Sequence, residues 1–170
     1  MKFLDRTAGS LLEKKLRREI AEYADPKFTL YYESGARDYS AAANAIASSV
    51  GRFSEAIALF SFCVSGDGWN EASVPDERWG RYRKWRAANN EHRRLYEAPL
   101  HQFEPNETEH FAKTIEFALE LGWDALLSAK PGRQLLSISH DDRLEVYRGF
   151  GGGSLVRQLT GLGYWHRADR

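Results

Sequence analysis

One apolar stripe constrains this chain more than any other feature. Ile46, Val50, Phe53, Ile57, Phe60 and Val64 step alternately by four and three residues. That period puts all of them on one face of an α-helix. It predicts a long central helix from about Tyr39 to Val64, with Asp38 as its N-cap and Ser65-Gly-Asp-Gly68 as its stop. Ala41, Ala42, Ala43, Ala45 and Ala47 would let a second backbone approach closely. Gly51 interrupts the propensity, at about 1 kcal/mol relative to alanine. Because the stripe stays in register across it, the helix is expected to run through.

Other helices are expected around this one. Leu12, Leu16, Ile20 and Tyr23 share a face over residues 11–23, and Asp25-Pro26 ends that segment. Ser73-Val-Pro-Asp76 has the capping residue and the first-turn proline of a helix start, giving a helix to about Tyr96. Residues 98–106 hold two prolines and no period, which predicts a loop. Asn106 and Glu109 repeat the capping pattern, and Phe111, Ile115 and Leu119 mark a helix that stops at Gly122. A last short helix, capped by Ser154, carries Leu155, Val156, Leu159 and Leu162.

Strand character is concentrated near the C-terminus. Residues 123–129 and 134–140 flank a Lys130-Pro-Gly-Arg133 turn, and residues 143–148 alternate Leu144 and Val146 with charged neighbours. Lys27 to Tyr32 is a further short strand or extended segment. The expected fold is α+β and mainly helical, with about five helices and a small C-terminal three-stranded antiparallel β-meander packed on them. No repeat or linker divides the chain, so residues 1–170 are expected to form a single globular domain.

Charge and cysteine content exclude several function classes. Lys plus Arg and Asp plus Glu each number 24, so no whole-molecule field favours nucleic acid or an acidic membrane. The lone Cys63 can form neither an internal disulfide nor a CxxC site. Met1 to Arg6 lacks an apolar signal core, and no apolar run approaches the roughly 20 residues of a membrane span, so a cytoplasmic protein is expected. His92, His101, His110, His140 and His166 have no metal-ligand spacing, and neither a metal nor a cofactor is expected.

Four segments have residue types that carry chemistry. The first is Arg78-Trp-Gly-Arg-Tyr-Arg-Lys-Trp-Arg86, followed by Arg93-Arg94. Arginine interleaved with Trp and Tyr suits an interface hot spot, and it also suits phosphate contact with base stacking. The second, Ser65 to Asn70, places Trp69 after a glycine turn, where an indole either stacks on a partner or folds back as a lid. The third is the His140-Asp141-Asp142 turn, in which carboxylates raise the imidazole pKa and make it an acid–base group. The fourth, Gly149 to Gly153 with Ser154, lies between a strand and a helix, where amide groups of Gly151, Gly152, Gly153 and Ser154 can cradle an anion.

No catalytic spacing accompanies these segments. The leading expectation is therefore a non-enzymatic, protein-binding module of accessory or immunity type, with another protein as its partner. Trp69, Trp79, Arg83, Trp85 and Arg86 are the candidate contacts. The first alternative is a small enzyme or anionic-ligand-binding domain that joins the His140 turn to the glycine loop. The second is nucleic-acid binding through residues 78–94.

Overall fold

A computed structural model describes residues 1–23, 25–32, 38–61, 77–130, 134–149 and 153–166. Trp69, Cys63, Gly151, Gly152 and the expected helix start at Ser73 lie outside these described residues.

Among the described residues the chain forms five helices and one eight-stranded sheet. In chain order these are β1 (Lys2–Leu4), α1 (Arg6–Glu22), β2 (Phe28–Tyr31), α2 (Tyr39–Val50) and β3 (Glu55–Phe60). There follow α3 (Glu77–Ala88), β4 (Leu100–Phe103), α4 (Thr108–Leu121), β5 (Ala125–Lys130), β6 (Gln134–Ser139), β7 (Arg143–Arg148), α5 (Gly153–Gly161) and β8 (Trp165–His166). Strand order is β1-β4-β3-β5-β6-β7-β2-β8, and every pair is antiparallel.

The expected small meander is thus corrected. Its three strands exist, but they form the middle of a much larger sheet, with β3 against β5 and β2 against β7. Three features hid the rest. The expected helix over residues 39–64 ends at Val50, because Gly51 takes φ 67° and ψ −148°, a conformation that L side chains avoid. Beyond it the apolar residues form the interior strand β3, whose two covered faces both need apolar side chains. Ala56, Ala58 and Phe60 join the main core, while Ile57 packs with the cluster under α1.

The expected loop over residues 98–106 holds β4. Pro99 and Pro105 bound this strand rather than interrupt it, and its polar His101 and Gln102 mask any apolar pattern. Strand β1 has only three residues, too few for a period, and is held by pairing Lys2 to Gln102 and Leu4 to Leu100.

The two faces of the sheet differ. On one lie α2, α4 and α5 over Leu30, Ala58, Leu127, Leu136, Ile138, Leu144 and Val146. Ala42, Ala43, Ala45 and Ala47 of α2 are buried and let it pack closely on α4. The other face carries α1, whose N-cap Asp5 accepts from the Ala8 N–H at 2.9 Å. Leu12, Leu16 and Ile20 of α1, with Tyr23 at its C-cap, cover Ile57, Leu126, Leu135 and Tyr147. Beyond that apolar strip the same sheet face turns polar, with Ser61, Asp124, Ser137, Ser139, Arg143 and Glu145 beside the helix.

Candidate functional site

Asp124 and His140 meet because two local structures end at the same edge of the cleft. Helix α4 stops at Gly122, which sits at φ 62° and ψ 44°, and Trp123 N–H bonds back to the Ala118 carbonyl. The chain then reverses, so that Asp124 stands just ahead of β5, beside the end of β6. The Asp124 carboxylate accepts from the His140 backbone N–H at 2.9 Å, and both its oxygens lie 2.9 Å from His140 Nδ1. A carboxylate only accepts, so Nδ1 carries the proton.

This clasp decides the chemistry of the ring. The hydrogen bond donated to Asp124, then the charge of that carboxylate, holds the His140 pKa above the usual imidazole value. In the neutral form Nε2 keeps a free lone pair; in the cationic form it presents a proton, with Asp141 Oδ1 3.5 Å away. The ring is well exposed, so it can exchange that proton with a molecule in the cleft.

The cleft has a volume of about 420 Å³ and runs along the edge of α1, with Arg17 and Ile20 on the helix side. Strand β7 supplies Arg143, Glu145 and Tyr147, which point the same way because strand side chains alternate. Arg143 Nε lies 3.1 Å from Glu145 Oε1, and Tyr147 donates its hydroxyl proton to Glu145 Oε2 at 2.8 Å. Burial and then this bond push the Tyr147 pKa up. Across the sheet Ser61 is buried, and its N–H continues the β3–β5 ladder to the Asp124 carbonyl. Ser139 Oγ accepts from the Asp141 N–H at 3.2 Å. Among the described residues the contacts of the His140 ring nitrogens are carboxylates, not a hydroxyl or thiol.

The structure places the sequence candidates unevenly. His140 and Asp141 line the cleft, whereas Asp142 shapes the turn at φ 54° and its carbonyl receives the Tyr32 N–H. Of the glycine segment, Gly149 is not brought to them, while Gly151 and Gly152 lie outside the described residues. Gly149 lies against Gln134 at the far end of β7, and five strand steps at about 3.3 Å each put roughly 17 Å between the two ends. Gly153 and Ser154 open α5.

The aromatic–arginine segment is mostly inside the fold. Trp79 and Tyr82 are 1% and 0% exposed, and Trp85 is half-buried against the same core. Trp79 stacks on Tyr82 at 5.4 Å and meets Trp123 edge-on at 5.0 Å. Arg86 is buried too, donating to Tyr82 Oη, the Ala98 carbonyl and the Arg93 carbonyl. Arg83 alone of the described candidates in this segment is exposed, with its guanidinium 5.4 Å over the Trp79 ring. The expected surface array is therefore an amphipathic helix with its aromatic side turned inward.

Asp124, Ser61, Arg17, Glu145 and Tyr147 were not singled out from the sequence. The alternating Ser137 and Ser139 of β6 carried a weak signal for a polar sheet face. Pairing of Asp124 with His140, sixteen residues on, depends on the β5–β6 register. Among the described residues no group of three potential ligands could hold a metal ion, and no helix is long and apolar enough to cross a membrane. Compared with family models, with curated proteins and with solved structures, the chain matches none.

Proposed function

We propose that the protein binds a small polar molecule in the cleft beside α1 and that His140 exchanges a proton with it. The observation that carries this reading is the Asp124 clasp, which engages Nδ1 of an exposed ring and leaves Nε2 outside the clasp. A cleft of about 420 Å³ suits a small metabolite, since such sites span about 300–1,000 Å³. Its hydroxyl, guanidinium and carboxylate walls favour a ligand with several hydrogen-bonding groups. The protein-partner reading named Trp69, Trp79, Arg83, Trp85 and Arg86; Trp79 and Arg86 are buried and Trp85 half-buried, Arg83 is exposed, and Trp69 lies outside the described residues.

The test follows the His140 ring by NMR while sugars, amino acids and short carboxylates are added one at a time. At least one compound should shift the His140 resonances in a saturable way, and Asp124→Asn should weaken that response. If no compound in these classes perturbs His140, the cleft is not a polar-ligand site.

A further inference from the structure

A second pocket, far smaller, lies where the end of α3 meets the segment leading to β4. Its volume is about 170 Å³, and four of its wall residues are arginines: Arg83, Arg86, Arg93 and Arg94. Glu91 is the only carboxylate in that wall, and Arg93 engages both its oxygens through Nε at 2.9 and 3.2 Å. Burial opposes the charge of Glu91, but these bonds hold its carboxyl below the usual range.

Of the other three guanidiniums only Arg86 also feels the charge of Glu91, and among the described residues no carboxylate bonds to it. Arg83 and Arg94 are exposed and make no ion pair with the described residues. Arg86 is 3% exposed, and its bonds run to a phenol and to backbone carbonyls, which satisfy N–H donors without neutralising a formal charge. Four cations against one carboxylate leave an excess of positive charge in the pocket wall, with Asp5 and Glu97 acting on Arg93 from outside it. Buried Arg86 shares the charge of Glu91 with Arg93, and an incoming anion would add a second negative charge beside it.

We propose that this pocket binds a single phosphate group, either as inorganic phosphate or at the end of a small phosphomonoester. Size sets the limit: about 170 Å³ is below the roughly 300 Å³ at which drug-sized ligands begin to fit. Arginine sets the chemistry, because its planar fork matches phosphate oxygens and stays charged at any working pH. A nucleic-acid strand would instead need a row of sites along its backbone, whereas here the free arginines converge on one cavity.

The experiment is a titration of the full chain with inorganic phosphate and with methyl phosphate, read by backbone-amide NMR against sodium chloride of matched ionic strength. Saturable shifts are expected at residues 83 and 92–94, with no such curve from chloride. Arg83→Gln with Arg94→Gln should weaken binding by about tenfold or more while leaving the melting temperature unchanged in the absence of phosphate. Shifts that follow ionic strength alone would overturn the proposal, as would affinity that survives the double substitution. A short single-stranded oligonucleotide that still binds under saturating phosphate would also overturn it, in favour of a nucleic-acid surface.

Discussion

Two histidines show how environment sets opposite proton affinities within one chain. His101 is fully buried on β4, with Nε2 2.8 Å from Tyr82 Oη and Nδ1 3.3 Å from the Ala58 carbonyl. Since the carbonyl only accepts, Nδ1 carries the proton and Nε2 accepts from Tyr82, whose oxygen accepts in turn from Arg86. Burial, and then the charge of Arg86, push the His101 pKa down to about 3. The unfolded chain therefore binds a proton here that the folded chain refuses. Stability from this group is complete above the ordinary imidazole midpoint, near pH 6.5, and is lost as pH falls toward 3. Urea unfolding between pH 7 and pH 4 should show this loss, with a slope of up to about 1.4 kcal/mol per pH unit. His101→Phe should flatten that slope while lowering stability at pH 7, because Tyr82 loses its acceptor. An unchanged slope would mean that other groups dominate the acid response.

His140 has the reverse sign. Its pKa is raised, so its contribution to stability is present below the ordinary midpoint and fades as pH rises through the raised one. Exposure of the ring keeps that contribution small. The informative quantity is the midpoint itself. Asp124→Asn should bring the His140 NMR titration down toward that of an ordinary histidine. No movement would show that the clasp does not control the ring.

At the scale of the element, two glycines make contrary predictions. Gly51 ends α2 in a region of backbone space almost closed to other residues, yet an added Cβ would meet nothing within 4 Å. Gly51→Ala should therefore destabilise purely through backbone strain, by about 1–3 kcal/mol. Gly80 lies inside α3, where an added methyl group would also meet open space, but without a positive φ. Gly80→Ala should stabilise by about 0.5–1 kcal/mol. Chemical denaturation of the two variants checks both signs at once. If both were neutral, the apolar stripe rather than Gly51 would have to explain where α2 stops. The stripe itself was correctly periodic, but period alone does not separate a helix from a helix followed by a buried strand. Phe53 is buried between α2 and β3, so the spacing that suggested one long helix spans a turn.

For the whole molecule, the sheet ties distant segments together. Strand β1, at the start of the chain, pairs with β4, and β2 pairs with both β7 and β8. No cut in the described chain leaves two independent sheets, so far-UV circular dichroism and tryptophan fluorescence should report coincident unfolding. Separate transitions would divide the chain into units. Trp79 packs among Tyr82, Trp123 and the main core, and Trp79→Ala should destabilise by about 3–5 kcal/mol in the same experiment. A near-neutral result would return that indole to the surface and revive it as a partner contact.

Much of the local structure was legible in the residues alone. The α1 face of Leu12, Leu16 and Ile20, the cap at Asp38 and the stop at Gly122 each follow from interactions within a few residues. So do the strands β5 to β7, where period and turn chemistry agree. What tertiary structure decided was long-range: that β1, β3 and β4 extend the sheet, that the Trp79 face turns inward, and that Asp124 reaches His140 while Gly149 sits at the other end of β7. The physical reason is common to all three. Periodicity records which side of a segment must avoid water, whereas the partner that covers it is chosen by strand register and by packing between residues far apart in the chain.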